Sequence, residues 1–489
     1  MTDAAARGRS ALLGQKMTAA EVADASARGW VAILLGKLSS HAIQLLTLVV
    51  IARLLAPSDF GVLTMVMAVI GIANIFQDLG LAAAIVREPV LQHSQVNTVF
   101  WINLSMGCAM TLAGCLAAPA IRTFYDDARV EQVALALSFN FLIGALGAQQ
   151  FALLRRNLRF RELARTSVAA TMLGNVVALI CAWRGAHYWA LVASTLSSST
   201  FSTLVAWRLT GWRPSLPQFD PSVRRMLSFG GYLVVFALLR YAGTNVQNIL
   251  LGRTINSAAV GHFNRGFQLL QLTEGYVVDP IDLTARTAMS KMLDDAPAFS
   301  DYYLRQASLL CALAAPIGFC TTVLAGDIIA VLFGPAWTSS AQVLRIVGYG
   351  VIARVLCVST GWVFVARGDS RRMMRWGVVG WGALIACLLM AAPYGIEGMA
   401  WAYTASIWLL LVPCLAYAFR GTSLRVADVA RRLMPIVAAG GLACAGLYLL
   451  WLMLAPLPAL ARLPLCGTVY LALYAGLLAW PFGQRQLFR

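Results

Sequence analysis

The sequence predicts an all-α, polytopic membrane protein of about fourteen transmembrane helices, built as two six-helix lobes related by an internal repeat plus two C-terminal helices. Three observations predict it. Sixty per cent of the 489 residues are apolar and 12% are charged, with a mean hydropathy of +0.72, whereas soluble domains run near 25% charged. Apolar runs of roughly 18 to 25 residues, the length at which a helix crosses a hydrocarbon layer, recur along the whole chain. Finally, Arg53 and Gly61 close one apolar run and open the next, and Arg253 and Gly261 repeat that arrangement. Gly185 through Ala190 and Gly395 through Ala400 form a second echo at nearly the same offset. Repeated halves of about six spans are a common construction around a central, midplane path.

The spans are placed near 30–52, 60–84, 96–121, 131–153, 166–183, 187–207, 228–251, 258–284, 304–325, 340–365, 374–392, 397–419, 433–455 and 463–481. This gives an N-terminal segment (1–29), an N-lobe (30–207), a linker (208–227), a C-lobe (228–419) and a C-terminal helix pair (420–489). Basic residues alternate from loop to loop. Arg155, Arg156, Arg159, Arg161 and Arg165 follow the fourth span, Arg208, Arg213, Arg224 and Arg225 the sixth, Arg367, Arg371, Arg372 and Arg375 the tenth, and Arg420, Arg425, Arg431 and Arg432 the twelfth. Loops rich in Lys and Arg stay cytoplasmic, so both termini are expected there. The net charge of +17 then reads as an orientation signal and an attraction to anionic lipid, with no nucleic-acid partner.

No cleavable signal is visible, since the first apolar run begins near Trp30 after a mixed-charge stretch. Met17 is an alternative start to Met1. The ten cysteines lie in or beside spans without metal or redox spacing and read as small apolar packing residues. The longest polar stretches, the N-terminal segment, 208–227 and 286–303, are each far shorter than a folded domain. Phosphate-binding glycine loops, HExxH and a G-x-S-x-G elbow are absent from the sequence. The chain is therefore expected to be no enzyme, with no cofactor and no metal.

A charge at the centre of a membrane helix costs about 2.5 to 3.5 kcal/mol on insertion scales, so inward-facing ones are candidates for function. Lys37, Ser40, His41 and Gln44 form one helical stripe on the first span. Arg240, Thr244, Gln247 and Asn248 form a similar stripe on the seventh, and both are expected to face a shared cavity. The second span adds Asn74, Gln77 and Asp78; the eighth adds Asn264, Arg265, Gln268, Gln271 and Glu274; Arg354 lies deep in the tenth. Each has a plainer alternative: Lys37 snorkels, His41 bonds helix to helix, Glu274 neutralises Arg240 or Arg265, and Arg53 and Arg253 anchor turns. Asp78, Asp279 and Asp282 lie nearer the arginine-rich ends, where a solvated helix end accounts for them. The balance is cationic, which selects an anionic cargo such as a pyrophosphate or an acidic sugar. The candidate substrate-binding set is Lys37, His41, Arg240, Asn248, Arg265 and Arg354, with Glu274 and Asp78 as candidates for ion coupling.

Several segments together resemble a known family: Ile51-Ala52-Arg53-Leu54-Leu55-Ala56-Pro57-Ser58-Asp59-Phe60-Gly61, Val99-Phe100-Trp101-Ile102-Asn103-Leu104, Leu153 to Phe160, Gly252-Arg253 through Gly261-His262-Phe263-Asn264-Arg265, and Leu332-Phe333-Gly334-Pro335-Ala336-Trp337. Over residues 30–420 the chain resembles the polysaccharide transporter family, in particular the Wzx-type flippases of the multidrug/oligosaccharidyl-lipid/polysaccharide exporter superfamily. The resemblance implies alternating access, often driven by a proton gradient, and translocation of an undecaprenyl-diphosphate-linked oligosaccharide repeat unit from the cytoplasmic to the periplasmic leaflet of a bacterial inner membrane. It implies membrane lipids, and beside them a polysaccharide polymerase and export machinery, as partners. It places the usual cationic substrate contacts on Lys37, Arg240, Arg265 and Arg354. Asp279 and Asp282 around Pro280 depart from the family pattern. Spans 13 and 14 fall outside the repeat and either shape a groove for the polyprenyl tail or widen the scaffold.

Three rivals make different demands. A drug or cation antiporter of the same superfamily would have about twelve spans and an acidic cavity. A membrane polysaccharide polymerase or ligase would need a large outward loop carrying Arg or His chemistry. A structural scaffold of an export complex would not need deep charges.

Overall fold

A computed structural model describes residues 39–40, 42–77, 92–217 and 231–479. The described residues are nearly all helical: α1 (Ala42–Leu54), α2 (Pro57–Gln77), α3 (His93–Tyr125), α4 (Ala128–Arg156), α5 (Phe160–Trp183), α6 (Trp189–Thr210), α7 (Gly231–Thr254), α8 (Ser257–Thr273), α9 (Asp279–Ser290), α10 (Ala296–Leu332), α11 (Thr338–Gly348), α12 (Val351–Ala366), α13 (Ser370–Ala391), α14 (Gly395–Phe419), α15 (Val426–Met453) and α16 (Ala459–Ala479). Among them seven helices are long and apolar enough to cross a membrane, or eight when the bent α11–α12 pair counts as one span. The chain is a multi-pass membrane protein. Two compact units divide it, residues up to Ala242 and residues from Gly243, so the division falls within α7.

The repeat is written in backbone geometry. At the α1–α2 corner Leu55 N–H donates to Ile51 O at 2.9 Å, and at the α7–α8 corner Ile255 N–H donates to Leu251 O at 3.0 Å. A short polar side chain caps each corner: Asp59 Oδ2 accepts from Ala56 N–H at 3.1 Å, and Asn256 Oδ1 accepts from Ala259 N–H at 2.9 Å. Further along, the offset between units is ten residues longer, and three left-handed positions match. Leu158 (φ 53°) pairs with Gly368 (φ 68°), Gly185 (φ 75°) with Gly395 (φ 76°), and Gly211 (φ 61°) with Gly421 (φ 78°). Each follows the end of a helix or, for Gly395, of the short helical turn Ala392–Tyr394, where a positive φ turns the chain out of the helix.

The α4–α5 corner repeats as the α12–α13 corner bond for bond. Arg159 N–H reaches Leu154 O at 3.0 Å where Asp369 N–H reaches Phe364 O at 2.9 Å, and Phe160 N–H reaches Leu158 O at 2.8 Å where Ser370 N–H reaches Gly368 O at 2.9 Å. Arginines from these corners then cap a neighbouring helix. Arg159 Nη1 donates to Leu209 O at 2.8 Å at the end of α6, while Arg367 Nη1 donates to Arg420 O at 2.9 Å and Arg372 Nη2 to Tyr417 O at 2.7 Å at the end of α14. Cations at helix C-termini offset the partial negative charge of the last carbonyls.

The motifs read from the sequence meet in space within each unit. Phe100 joins Val96, Val99, Ala152, Leu153 and Trp212 in one buried cluster. Asn97 Nδ2 donates to Leu216 O at 2.8 Å, its Oδ1 accepts from Ser215 N–H at 3.0 Å, and Trp101 Nε1 donates to Ser215 O at 2.9 Å. The first part of the predicted linker is thus docked along α3. In the second unit, His262 packs 5.7 Å from the ring of buried Trp337 and shares a 3.2 Å hydrogen bond with Ser340.

Three readings from hydropathy need correction. The tenth span is not one straight helix: α11 and α12 meet at 56°, and beside the bend Gly348 packs where a Cβ would lie 2.6 Å from Thr321 Oγ1 on α10. The eighth is interrupted by a π-helical turn at Glu274–Val278 just before Pro280, whose ring removes an N–H from the ladder. The polar stretch 286–303 is mostly helical, being the end of α9 and the first two turns of α10, capped by Asp295 Oδ1 on Ala298 N–H at 3.0 Å.

The C-terminal pair is pinned to α10 at three levels. Tyr474 OH donates to Ala312 O at 3.0 Å; Gly440 lies under the ring of Phe319; and Asp327 accepts from Arg462 Nε at 2.9 Å and Nη2 at 2.5 Å. Trp451 Nε1 also donates to Asp327 at 2.9 Å, with Arg462 5.2 Å above its ring.

Candidate functional site

The α11–α12 elbow delivers Arg354 to a small pocket. One turn past the bend, Arg354 N–H closes on Gly350 O at 2.9 Å. Its guanidinium lies 6.0 Å from the ring of Phe267 and 5.7 Å from that of Tyr403, and Nη1 donates to the Tyr403 hydroxyl. Phe267 and Tyr403 meet edge to face at 4.9 Å. Gln271, Thr273 and Val351 complete a cavity of about 20 Å³, room for a single water-sized group. Stacking on two aromatic faces offsets part of the cost of holding a cation among apolar helices.

Arg265 is elsewhere. It precedes Phe267 by two positions, which sets it roughly 200° around α8, and its Nη1 donates to Gln268 Oε1. Asn248 is buried on α7 with Gln247; Gln247 Nε2 donates to Thr244 O at 2.6 Å. Asn248 Oδ1 and Gln247 Oε1 accept no hydrogen bond among the described residues, so this stripe offers buried acceptors, the costly kind of group that a function explains. The structure therefore brings Arg354 together with Phe267 and Tyr403, and it does not bring Arg265 into that pocket. Lys37, His41 and Asp78 lie outside the described residues. The helices run through Arg240 and Glu274, whose side chains lie outside the described part.

Sequence reasoning missed Tyr403, which sits in an apolar run where its ring looks like packing. It also missed Asp327, a lone acid in Ala325-Gly326-Asp327-Ile328-Ile329 whose side chain is 6% exposed; a search for acids inside apolar runs would have found it. Asp282, read from the sequence as a solvated helix end, accepts through Oδ1 from Arg286 Nε at 2.8 Å and from buried Trp362 Nε1 at 2.9 Å. Asp282 is thus no merely solvated helix end: its carboxylate ties α9 to α12.

The chain is similar to lipopolysaccharide biosynthesis protein WzxC of Escherichia coli K12, 23% identical over 308 residues, covering 62% of each chain. It is similar to teichuronic acid biosynthesis protein TuaB of Bacillus subtilis 168, 22% identical over 62% of this chain and 63% of that one. The matches thus span less than two thirds of the length of these two relatives. Succinoglycan biosynthesis transport protein ExoT of Rhizobium meliloti 1021 is 22% identical over 78% of this chain and 76% of its own. Among solved structures, the fold is that of the lipid II flippase MurJ in an inward closed conformation, with a TM-score of 0.73, 12% identity, and coverage of 94% of this chain and 100% of that one. An inward-facing multidrug resistance MATE family transporter of the MOP superfamily aligns with a TM-score of 0.61 and 12% identity over 80% of this chain and 96% of its own. A family model described as polysaccharide biosynthesis protein matches residues 50–342, and the chain belongs to that family.

Proposed function

We propose that this protein is a flippase that moves undecaprenyl-diphosphate-linked oligosaccharide repeat units from the cytoplasmic to the periplasmic leaflet of a bacterial inner membrane, for exopolysaccharide, capsule or lipopolysaccharide synthesis. The observation that carries the reading is the pairing of family with fold: relatives named for building or transporting surface polysaccharides, on the architecture of a lipid II flippase. Physics asks for such a device, since a charged glycan cannot cross about 30 Å of hydrocarbon unaided. Both termini are cytoplasmic in this reading, because loops rich in arginine favour the inner face.

The headgroup path is assigned to Lys37, His41, Arg240, Asn248, Arg265 and Arg354, with Glu274 and Asp78 coupling an ion. A pocket of about 20 Å³ admits no sugar, so Arg354 meets the pyrophosphate only after the α11–α12 elbow opens and its bond to Tyr403 is exchanged for one to phosphate. The polymerase and export machinery take the product on the outer face. The test is leaflet sidedness of the glycolipid in null cells complemented with wild type, Arg240→Ala or Arg354→Ala. Trapping on the cytoplasmic face in the null, release by wild type and failure of an inserted Arg variant support the reading. Glycolipid that reaches the outer face without this protein, yet stays unpolymerised, overturns it in favour of a polymerase.

A further inference from the structure

We infer that the first unit carries a separate binding groove for a phosphorylated saccharide at the α4–α5 corner. The groove has a volume of about 510 Å³, within the range of roughly 300 to 1,000 Å³ found for small-molecule sites. Phe151 and Arg155 from the end of α4, Phe160 to Thr171 along the start of α5, and Ser198 and Ser202 from α6 line it. All belong to the unit that ends at Ala242.

Most of the hydroxyls that line it are unpartnered among the described residues. On α6, Thr195 Oγ1 donates to Leu191 O at 3.0 Å, Ser197 Oγ to Ser194 O at 3.1 Å, and Thr203 Oγ1 to Ile143 O of α4 at 3.3 Å. Ser202, at the groove, donates to Ser199 O at 2.9 Å. Thr166, Ser167, Thr171 and Ser198 donate to no partner among the described residues, and none of their oxygens is sealed from the groove as a buried orphan. Arg155 likewise has no ion pair among the described residues, whereas Arg159 and Glu162 at the same corner are paired at 2.6 Å. Four available hydroxyls, two aromatic rings and one available guanidinium are the chemistry that a sugar phosphate needs: hydroxyl to hydroxyl, ring to the C–H face, guanidinium to phosphate.

The internal repeat supplies an independent comparison. At the offset that aligns Gly185 with Gly395 and Gly211 with Gly421, Thr166, Thr171 and Ser198 correspond to Trp376, Trp381 and Trp408. In the second unit those indoles are engaged: Trp376 stacks on Tyr417 at 5.7 Å, Trp381 lies against Gly243, and Trp408 Nε1 donates to Tyr349 O at 3.0 Å. The first unit thus keeps three small hydroxyl residues where its twin carries three tryptophans, and only the source of the ligand, a lipid-linked headgroup, rests on the flippase reading.

The test uses the full-length protein in nanodiscs with Ser198→Cys, labelled by a hydrophilic maleimide and read by peptide mass spectrometry, so that the ten native cysteines serve as internal controls. The probes are glucose 1-phosphate, glucose, and undecaprenyl-diphosphate-glucose incorporated in the disc. Protection of the introduced thiol by glucose 1-phosphate or by the lipid-linked probe, weaker with glucose and shifted by roughly ten-fold or more in an Arg155→Gln background, supports the groove. Protection by the lipid-linked probe alone names a headgroup as the source, and protection by glucose 1-phosphate alone names a soluble sugar phosphate. Thr171→Trp, which copies the second unit, abolishes protection while Thr171→Ala only weakens it. Labelling that no phosphorylated probe slows, in a protein that runs as a folded species on size exclusion, overturns the proposal. If protection holds but the glycolipid flips without the protein, the flippase reading fails and the groove stands.

Discussion

Asp327 grips Arg462 through both carboxylate oxygens, 135 positions apart in sequence, with side chains 6% and 14% exposed. The pair fastens α16 to α10, and Trp451 brings α15 into the same bond. Removing one partner of a buried pair costs about 3 to 5 kcal/mol because it strands the other charge, whereas replacing both with apolar residues costs far less. Thermal unfolding in detergent should therefore show Asp327→Leu and Arg462→Leu each much less stable than the double variant. Additive losses would mean that the pair does not act as a unit.

Asn97 uses both ends of its amide to hold Ser215 and Leu216 against α3. Asn97→Ala leaves these backbone groups without their partners, at about 1 to 3 kcal/mol. Limited proteolysis between Trp212 and Leu216 should accelerate accordingly, with Thr210, whose hydroxyl donates to Ala206 O at 3.0 Å, marking the boundary of protection.

Gly211 and Gly421 share a left-handed backbone, at φ 61° and 78°, but not the same surroundings. An alanine at either position incurs the αL penalty of about 1 kcal/mol. At Gly421 a Cβ would also lie 3.2 Å from the Arg367 guanidinium, while at Gly211 nothing lies within 4 Å. Gly421→Ala should therefore lower the melting temperature more than Gly211→Ala. Equal shifts would show that Arg367 yields freely.

Tyr403→Phe keeps the ring beneath Arg354 and removes its hydroxyl, while Tyr403→Leu removes both. The hydrogen bond to a charged group is worth about 1.5 to 3 kcal/mol, and the ring contact about 0.5 to 2 kcal/mol more. Stability measured in detergent should fall in two steps in that order.

Acid sensitivity has one identified source outside the spans. Burial pushes the Asp127 carboxyl up, but side-chain and backbone hydrogen bonds from Arg129 outweigh it and hold the group below its ordinary value. A depressed carboxyl contributes stability above its unfolded pKa and loses it as pH falls through the folded one. The wild-type advantage over Asp127→Asn should accordingly be full at neutral pH and shrink only below about pH 4.

Helix positions and the repeat were legible because apolar runs and the Arg53/Arg253 and Gly185/Gly395 echoes survive in residue identity. The third echo was hidden: Leu158 holds the left-handed turn that Gly368 holds in the second unit, and no residue type announces it. The α11–α12 elbow was hidden too, since Gly348-Tyr349-Gly350 is only three residues long between Ile346-Val347 and Val351-Ile352, too short to interrupt an apolar run of spanning length. Arg354 stood out as a buried cation, but its ring partners Phe267 and Tyr403 read as ordinary core. Asp327 and Arg462 answer each other only once α10 and α16 are packed, so neither could be assigned a partner along the chain.

The α4–α5 and α12–α13 corners take their shape from main-chain bonds and from Arg159, Arg367 and Arg372. Arg161, Arg165, Arg371 and Arg375 are exposed and take no part in that fastening. At each corner their number sets how strongly an anionic bilayer surface attracts that corner, at about 1 kcal/mol for each basic residue near it. Each corner is thus a dial mounted on a fixed bracket: its charge can be turned up or down from one host membrane to another without moving the main chain that carries it.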